Sequence, residues 1–425
     1  MPTRPADSTS LPTIRVSRRG GERLALGHVW VYRSDLLSAD GVPPGSVVTV
    51  ADHRGKVLGT ALYSSASQIA IRMLSSTLSN RPSSLGSSNA TAHDPVPDFP
   101  ALLRQRITAA IAYRKDLVTN TDAYRIVFSE ADFLPGLIVD RYNDILSLQM
   151  LTQAMDADSV RRAILAELTA RLSPASIIER VDPRVRELES LPPRVSGLLH
   201  GEKTSTTFTM NGIQFRYAAL EGQKTGAFLD QRENYAATAQ YAHGEALDVF
   251  CYHGGFALHL APRCSQVTGV DSSRPALEVA DQNAVLNRSL LGSNEIEWIE
   301  ANAFDLLKDY SSPARPNEAR RYDTIVLDPP AFAKSKRDLD AALRGYKELN
   351  LRALKMLRPG GILVTCSCSY HIGQSTFLEM LASAALDAHR TLRLIEVRGQ
   401  SKDHPILMNV PETSYLKCVI ASVSN

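Results

Sequence analysis

From Ala246 onward the chain alternates short apolar runs with stretches of helical spacing, and no other feature constrains its fold as tightly. The runs are Ala246–Phe250 (ALDVF), Gln266–Val270, Glu295–Ile299, Tyr322–Leu327 (YDTIVL) and Gly361–Thr365 (GILVT). Runs of this length read as buried strands, and strands alternating with helices form βαβ units on a parallel sheet. Ligands of such open sheets sit at the carboxyl ends of the strands. The residues just after each run are therefore where chemistry is expected.

Two of those ends are chemically loaded. Tyr322–Leu327 leads into Asp328-Pro329-Pro330-Ala331-Phe332, and Gly361–Thr365 leads into Cys366-Ser367-Cys368-Ser369. The prolines stiffen the backbone after the acid and carry no amide donors of their own, which suits a loop that must hold a planar base. If the two strands are neighbours, an acid able to hold a base edge meets a nucleophilic thiol, the pair that carbon methylation of a pyrimidine needs. Cys366 and Cys368 lie two apart on extended backbone and share one face, so spacing leaves either as the nucleophile. The bland readings are a surface aspartate in a tight turn and two core cysteines.

The earlier strand ends suit a nucleoside cofactor. Ala246–Phe250 runs into Cys251-Tyr252-His253-Gly254-Gly255-Phe256, where glycines let a ligand approach the backbone closely. The spacing is not G-x-G-x-x-G, so a pyrophosphate cradle is not indicated. Asp271 ends the second strand, placed to accept from both hydroxyls of a ribose. Ribose recognition without a diphosphate loop favours S-adenosylmethionine (SAM) over a dinucleotide. Asn302, after the third strand, reads equally as an adenine contact and as a helix cap. Upstream, Gly222–Arg232 (GQKTGAFLDQR) suits a loop folding over a bound cofactor, or a turn entering a helix. The helix expected over Arg337–Leu357 is expected to stop at a cap formed by Pro359-Gly360-Gly361.

The first 245 residues differ in character. Between Thr13 and Leu74, Ser46–Val50, Val57–Tyr63 and Gln68–Met73 alternate apolar and polar positions between turns, as strands of a small β barrel do. Met1–Leu74 carries nine Lys/Arg against five acids, which fits a phosphate-binding face and a solvated surface equally well. Ser75–Pro100, rich in Ser, Asn and Pro, reads as a flexible linker. An α+β unit follows, with a helix over Leu102–Leu117, strands at Tyr124–Phe128, Gly136–Asp140, Ile145–Met150 and Ser176–Glu179, and a helix over Ala157–Leu172. In Phe208–Tyr217, Asn211-Gly212 between alternating runs marks a hairpin.

Composition mainly excludes. The five cysteines are odd in number, lack CxxC spacing and have no accompanying His cluster, so neither disulfides nor zinc are expected and a reducing compartment is. No apolar run nears the roughly 20 residues of a membrane span, and the N-terminus lacks a secretory pattern. The expected location is the cytoplasm.

Taken together these residues resemble the bacterial 23S ribosomal RNA large-subunit methyltransferase I family, which makes 5-methylcytosine with SAM. The likeness runs from about Ile14. Gly27-His28-Val29-Trp30-Val31-Tyr32 and Tyr63–Ile69 resemble that family's RNA-binding PUA barrel, with Val29 where a proline is common. Tyr124-Arg125-Ile126, Glu130–Gly136 and Val139–Tyr142 resemble its central domain. Lys224-Thr225-Gly226 with Leu229-Asp230-Gln231-Arg232 is the most specific match, joined by Gly254-Gly255-Phe256, Asp328-Pro329-Pro330 with Phe332, and Ser367-Cys368-Ser369.

The resemblance implies an α/β fold: a Rossmann-like class I methyltransferase sheet preceded by a PUA-type barrel and a central α+β domain. The domains would be 13–74, a linker 75–100, 101–204, and 205–425 with its hairpin at 205–219. It implies Cys368 as the thiol nucleophile, with Cys366 where the family commonly has an apolar residue, and Asp328 as its catalytic partner. Pro329, Pro330 and Phe332 would bind the base. SAM would be held by Thr225, Phe228, Asp230, Arg232, Phe250, Tyr252, Gly254, Gly255, Asp271, Ser272, Asn302 and Ala303, although Asn302 stands where relatives tend to carry an acid. The implied partners are 23S rRNA and a second copy of the chain in a homodimer, with no membrane and no metal. Related guanine-N7 methyltransferases share the lysine-threonine-glycine and Asp-Pro-Pro motifs but lack the Ser-Cys-Ser cysteine. A thiol-independent guanine-N7 or amino-group methyltransferase is the first rival. A PUA-type RNA-binding protein with an inactive methyltransferase fold is the second.

Overall fold

The computed structural model describes residues 11–77, 98–220, 227–292, 294–312, 320–333 and 336–425. The chain divides into two compact units. The first comprises Met1–Leu117, Arg125–Thr204 and Pro405–Thr413; the second comprises Val118–Tyr124, Ser205–His404 and Ser414–Asn425. Among the described residues no helix is long and apolar enough to cross a membrane.

In the first unit, Val47–Ala51, Val57–Tyr63 and Ile69–Ser76 join three shorter strands in a six-stranded sheet. The inward positions Ile14, Val16, Val31, Val48, Val50 and Ile71 are fully buried, so alternation along each strand supplies the barrel's core. The strand Ile69–Ser76 takes the first residues of the expected linker, and the next helix begins at Phe99. The stretch 78–97 between them lies outside the described residues. The α+β elements follow, with a helix over Phe99–Leu117, strands Leu137–Tyr142, Ile145–Met150 and Ser176–Glu179, and a helix over Asp158–Leu172.

Buried charge ties the barrel to this α+β part. Arg72 lies 2.9 Å from Glu189, which also accepts from Ser64 Oγ at 2.8 Å, and Trp30 Nε1 donates to Glu130 at 3.0 Å. A buried pair costs several kcal/mol when only one partner is removed, which welds the two parts together.

The second unit opens on the hairpin Ser205–Met210 and Ile213–Ala218. Asn211 and Gly212 both take positive φ, 53° and 84°, as the type I′ turn requires. Its main sheet has seven strands among the described residues: β1 (Glu245–Val249), β2 (Gln266–Asp271), β3 (Ile296–Glu300), β4 (Tyr322–Leu327), β5 (Leu357–Ser367), β6 (Thr391–Arg398) and β7 (Lys417–Ser424). Their order is β3-β2-β1-β4-β5-β7-β6. β7 alone runs against its neighbours on both sides, β5 and β6. Helices α1 (Arg232–Tyr241), α2 (Gly255–Leu260), α3 (Arg274–Leu286), α4 (Ala303–Ser311), α5 (Leu339–Met356) and α6 (Gln374–Asp387) alternate with the strands. This is the Rossmann-like α/β sheet that the alternating pattern predicts. The strand order reverses between β1 and β4, which opens a crevice beyond their carboxyl ends.

One local expectation fails. Pro359-Gly360-Gly361 does not cap α5, because the helix ends at Met356 and Leu357 already pairs with Tyr322 on β4. The next pairing is Thr324 with Ile362, so the proline and glycines bulge out of an extended strand, with Gly360 at φ 83°. The cross-strand partner, not the local stop signal, decides the backbone there.

Candidate active site

β4 and β5 are parallel neighbours, with Val326 opposite Val364 and Leu327 opposite Thr365. Their ends therefore deliver Asp328 and the cysteine segment side by side. Gln231, in the 3-10 turn Leu229–Gln231, donates from Nε2 to Asp328 Oδ1 at 3.0 Å. Asn234 donates to Gln231 Oε1 at 2.7 Å, so the amide can only turn its donors toward the acid. Asp328 keeps some exposed surface, yet its dense surroundings desolvate the carboxyl. That burial, reinforced by the Asp230 charge and opposed by hydrogen bonds from Gln231 and Cys366, pushes its pKa up to about 7. A carboxyl so placed can carry a proton at neutral pH and offer it to a base edge.

The two cysteines differ sharply. Cys366 is fully buried opposite Cys418 in the β5–β7 ladder, and burial drives its thiol far above the ordinary range. Cys368, beyond the strand end, is only half-buried, with Sγ 4.0 Å from Pro329 O. Burial first, then the Asp328 and Asp230 charges, push its thiol up to about 11, while Lys417 opposes them. Ser369 Oγ meets Tyr346 Oη at 3.1 Å and accepts from Ala333 N at 3.3 Å, which pins this turn to the Asp-Pro-Pro loop. Pro329 is buried and Pro330 exposed. Phe332 stacks into a row with Phe304 and Tyr346, ring centroids 6.0 and 4.7 Å away.

A second group of candidates gathers at the ends of β1 and β2. Asp271 accepts from Tyr252 N at 3.0 Å and Ser273 N at 2.9 Å. The turn after β1 holds Phe250, Tyr252 and Gly254 at φ 68°, 50° and 82°. A Cβ on Gly254 would approach Trp298 to 3.0 Å, so the loop is both left-handed and crowded. Phe228 and Tyr252 form an edge-to-face pair 5.2 Å apart. Asp248 on β1 is buried with Oδ1 unpartnered among the described residues, and its carboxyl is pushed up to about 8 by burial. A crowded glycine turn, an aromatic pair and a buried carboxyl with one unpartnered oxygen suit the sugar, the base and the amino-acid end of SAM. Bound there, SAM supplies an electrophilic methyl group.

The remaining candidates scatter. Asp230 accepts from Tyr415 Oη at 2.6 Å and lies close enough to Asp328 to raise its pKa. Arg232 is buried, with Nη2 3.1 Å from Asp403. Asn302 caps α4, accepting from Phe304 N at 2.9 Å, while Ala303 is buried and Ser272 exposed. Gly255 opens α2 beside Tyr235, and Thr225 lies outside the described residues. Sequence reading passed over Gln231 as a site residue, although the motif contained it, and missed Asp248 and Lys417 altogether. Polar residues inside apolar strands were the available signal for the last two.

A PUA-like domain model matches residues 14–76, and an S-adenosylmethionine-dependent methyltransferase model matches residues 131–408. The chain is 36% identical over 420 residues to ribosomal RNA large subunit methyltransferase I of Shewanella denitrificans, covering 96% of this chain and 99% of that one. It is 37% identical over 399 residues to the protein of that name from Photobacterium profundum, covering 92% and 94%. A SAM-dependent methyltransferase structure from Streptococcus mutans shares the fold at a TM-score of 0.76 and 18% identity, covering 97% of this chain and all of that one. With matches this extensive over both the barrel and the sheet that carries Asp271, Asp328 and Cys368, the chain belongs to the ribosomal RNA large subunit methyltransferase I family of SAM-dependent methyltransferases.

Proposed function

We propose that this protein methylates C5 of a cytosine in 23S ribosomal RNA, in the cytoplasm, through a covalent adduct with Cys368. The observation that carries the reading is the half-exposed Cys368 beside Asp328, a carboxyl poised near pKa 7, on adjacent parallel strands. The relatives' name supports the RNA substrate, and the PUA-like barrel supports an RNA grip, with its local excess of basic residues adding salt-sensitive affinity.

The chemistry follows from the residues. The cytosine leaves its stack, since C6 is unreachable inside a helix. The Cys368 thiolate adds to C6 while Asp328 gives its proton to N3, so the C5=C6 electrons become available at C5 to bond the incoming methyl group. Loss of the C5 proton to water then restores the double bond and expels the thiolate, and N3 returns its proton to Asp328. Pro329 and Pro330 hold the loop rigid while this happens, and Phe332 anchors it to the aromatic row.

One observation favours the rival, thiol-independent methylation of a guanine or an amino group: the Cys368 thiol, at about 11, is protonated at neutral pH. RNA carrying 5-fluorocytosine at the target separates the two, because fluorine cannot leave as a proton does. Wild type and Cys366→Ala should form an RNA adduct that survives denaturation, and Cys368→Ala should not. Methylation with no adduct from any variant establishes the rival. An adduct lost only in Cys366→Ala moves the nucleophile to Cys366.

A further inference from the structure

We propose that Lys417 is the residue that supports the Cys368 thiolate, a positioning residue that acts through the thiol. This rests on the cysteine-adduct reading above, which leaves unexplained how a thiol beside two carboxylates ionises.

Lys417 is the first residue of β7 and pairs with Ser367, one residue before Cys368. Its side chain is buried at 7% exposure, where lysine is rarely found without a carboxylate. Here Nζ donates instead to two backbone carbonyls, Ser369 O at 2.7 Å and Tyr415 O at 2.9 Å. Among the described residues no carboxylate lies within ion-pair distance of it. Ser369 is the residue after Cys368, so the ammonium is tethered to the very turn that presents the thiol.

The charged groups around Cys368 make the need plain. Asp328, at the end of β4, and Asp230, in the turn before α1, both disfavour a thiolate. Tyr346 on α5 lies near the thiol too: burial raises its hydroxyl first, and Cys368 adds a smaller rise. The anion is favoured by the backbone amide at Cys368 and by Lys417, which is the one charged group among these to do so. The coupling is mutual: burial lowers the lysine to about 8, and Cys368 raises it. Once Asp328 carries its proton, one of the two opposing charges disappears and the ammonium faces the thiol with less competition. The thiol proton can then pass to solvent, leaving S⁻ beside NH₃⁺, and the pair re-forms when the thiolate is expelled from the product.

Iodoacetamide alkylation of Cys368, followed by peptide mass spectrometry from pH 6 to 10, reads the thiol without RNA or turnover. Lys417→Gln keeps a donor for the carbonyls but no charge, and calorimetric SAM binding reports its fold. At pH 7.5 it should alkylate about tenfold more slowly than wild type, the equivalent of one pKa unit. Lys417→Arg should match wild type at pH 7 and exceed it above pH 8, where the lysine loses its charge. Superimposable profiles for wild type and Lys417→Gln overturn the proposal. If Lys417→Gln does not fold, equal rates for Lys417→Arg and wild type above pH 8 overturn it. The unmodified protein gives a third reading: a coupled thiol titrates in two steps with a plateau between them, and a single step counts against the coupling. An altered alkylation profile with no 5-fluorocytosine adduct would sink the adduct reading and leave the coupling standing. A normal adduct with an unaltered profile would do the reverse.

Discussion

The ends of β2 and β4 each present an aspartate to the same crevice, and the chain treats the two acids oppositely. Asp271 is cradled by two backbone amides, Tyr252 N and Ser273 N, with lone pairs left over for hydroxyl donors. Asp328 receives a side-chain amide from Gln231 and the Cys366 thiol, and its desolvated setting carries it to about pH 7. On the proposed reading, a carboxylate at a strand end serves as a recognition element or a proton carrier according to what surrounds it. The same residue type, on two strands of one sheet, would then take on two tasks.

The largest test of that contrast is to remove the proton carrier. Asp328→Ala should lower single-turnover methyl transfer by roughly 10²–10³-fold, the scale of losing one charge-stabilising donor, with SAM affinity within about twofold of wild type. If calorimetry shows affinity falling in step with the rate, the division of labour between the two acids is wrong. Asp271→Ala should do the converse. Loss of charge-assisted hydrogen bonds to the ribose hydroxyls should weaken SAM binding by about tenfold or more, while the rate at saturating SAM stays near wild type. Unchanged affinity would remove Asp271 from the cofactor site.

The smallest effect is a matter of pH. In the folded chain the Asp328 proton persists to about pH 7, whereas an unfolded aspartate ionises near pH 3.9. The bound proton therefore stabilises the fold fully below about pH 4, and that stabilisation is lost as pH rises through 7. Asp328→Asn cannot ionise, so its melting temperature should gain on wild type between pH 5 and pH 8, by a few degrees. A difference that does not change over that range would mean that Asp328 titrates as an ordinary surface acid.

Much of this site could be read from local pattern. Apolar runs at Tyr322–Leu327 and Gly361–Thr365, each followed by reactive residues, located both strand ends because a buried strand must be apolar wherever it crosses the core. Asn211-Gly212 located the hairpin turn because few other pairs tolerate two positive φ angles. The reading went astray at Pro359-Gly360-Gly361, where a local stop signal competes with a ladder partner on another strand and the ladder wins. It was silent on Arg72 and Glu189, whose pairing depends on how barrel and α+β part pack.

What the order of residues dictated unaided, then, was the set of strands, the groups at their ends and the kind of ligand those groups suit. Each of these follows from periodicity over a few residues and from side-chain chemistry. Which of two equivalent cysteines meets solvent, which acid keeps a proton, and which lysine stands beside the thiol were settled by packing. Cys366 and Cys368 share a face in sequence terms, yet one lies opposite Cys418 inside the ladder and the other just past its end. Gln231 and Lys417 reach the site through a turn before α1 and an antiparallel last strand. Desolvation and charge pairing act through space over a few ångströms, and distances of that kind exist only once the sheet has closed.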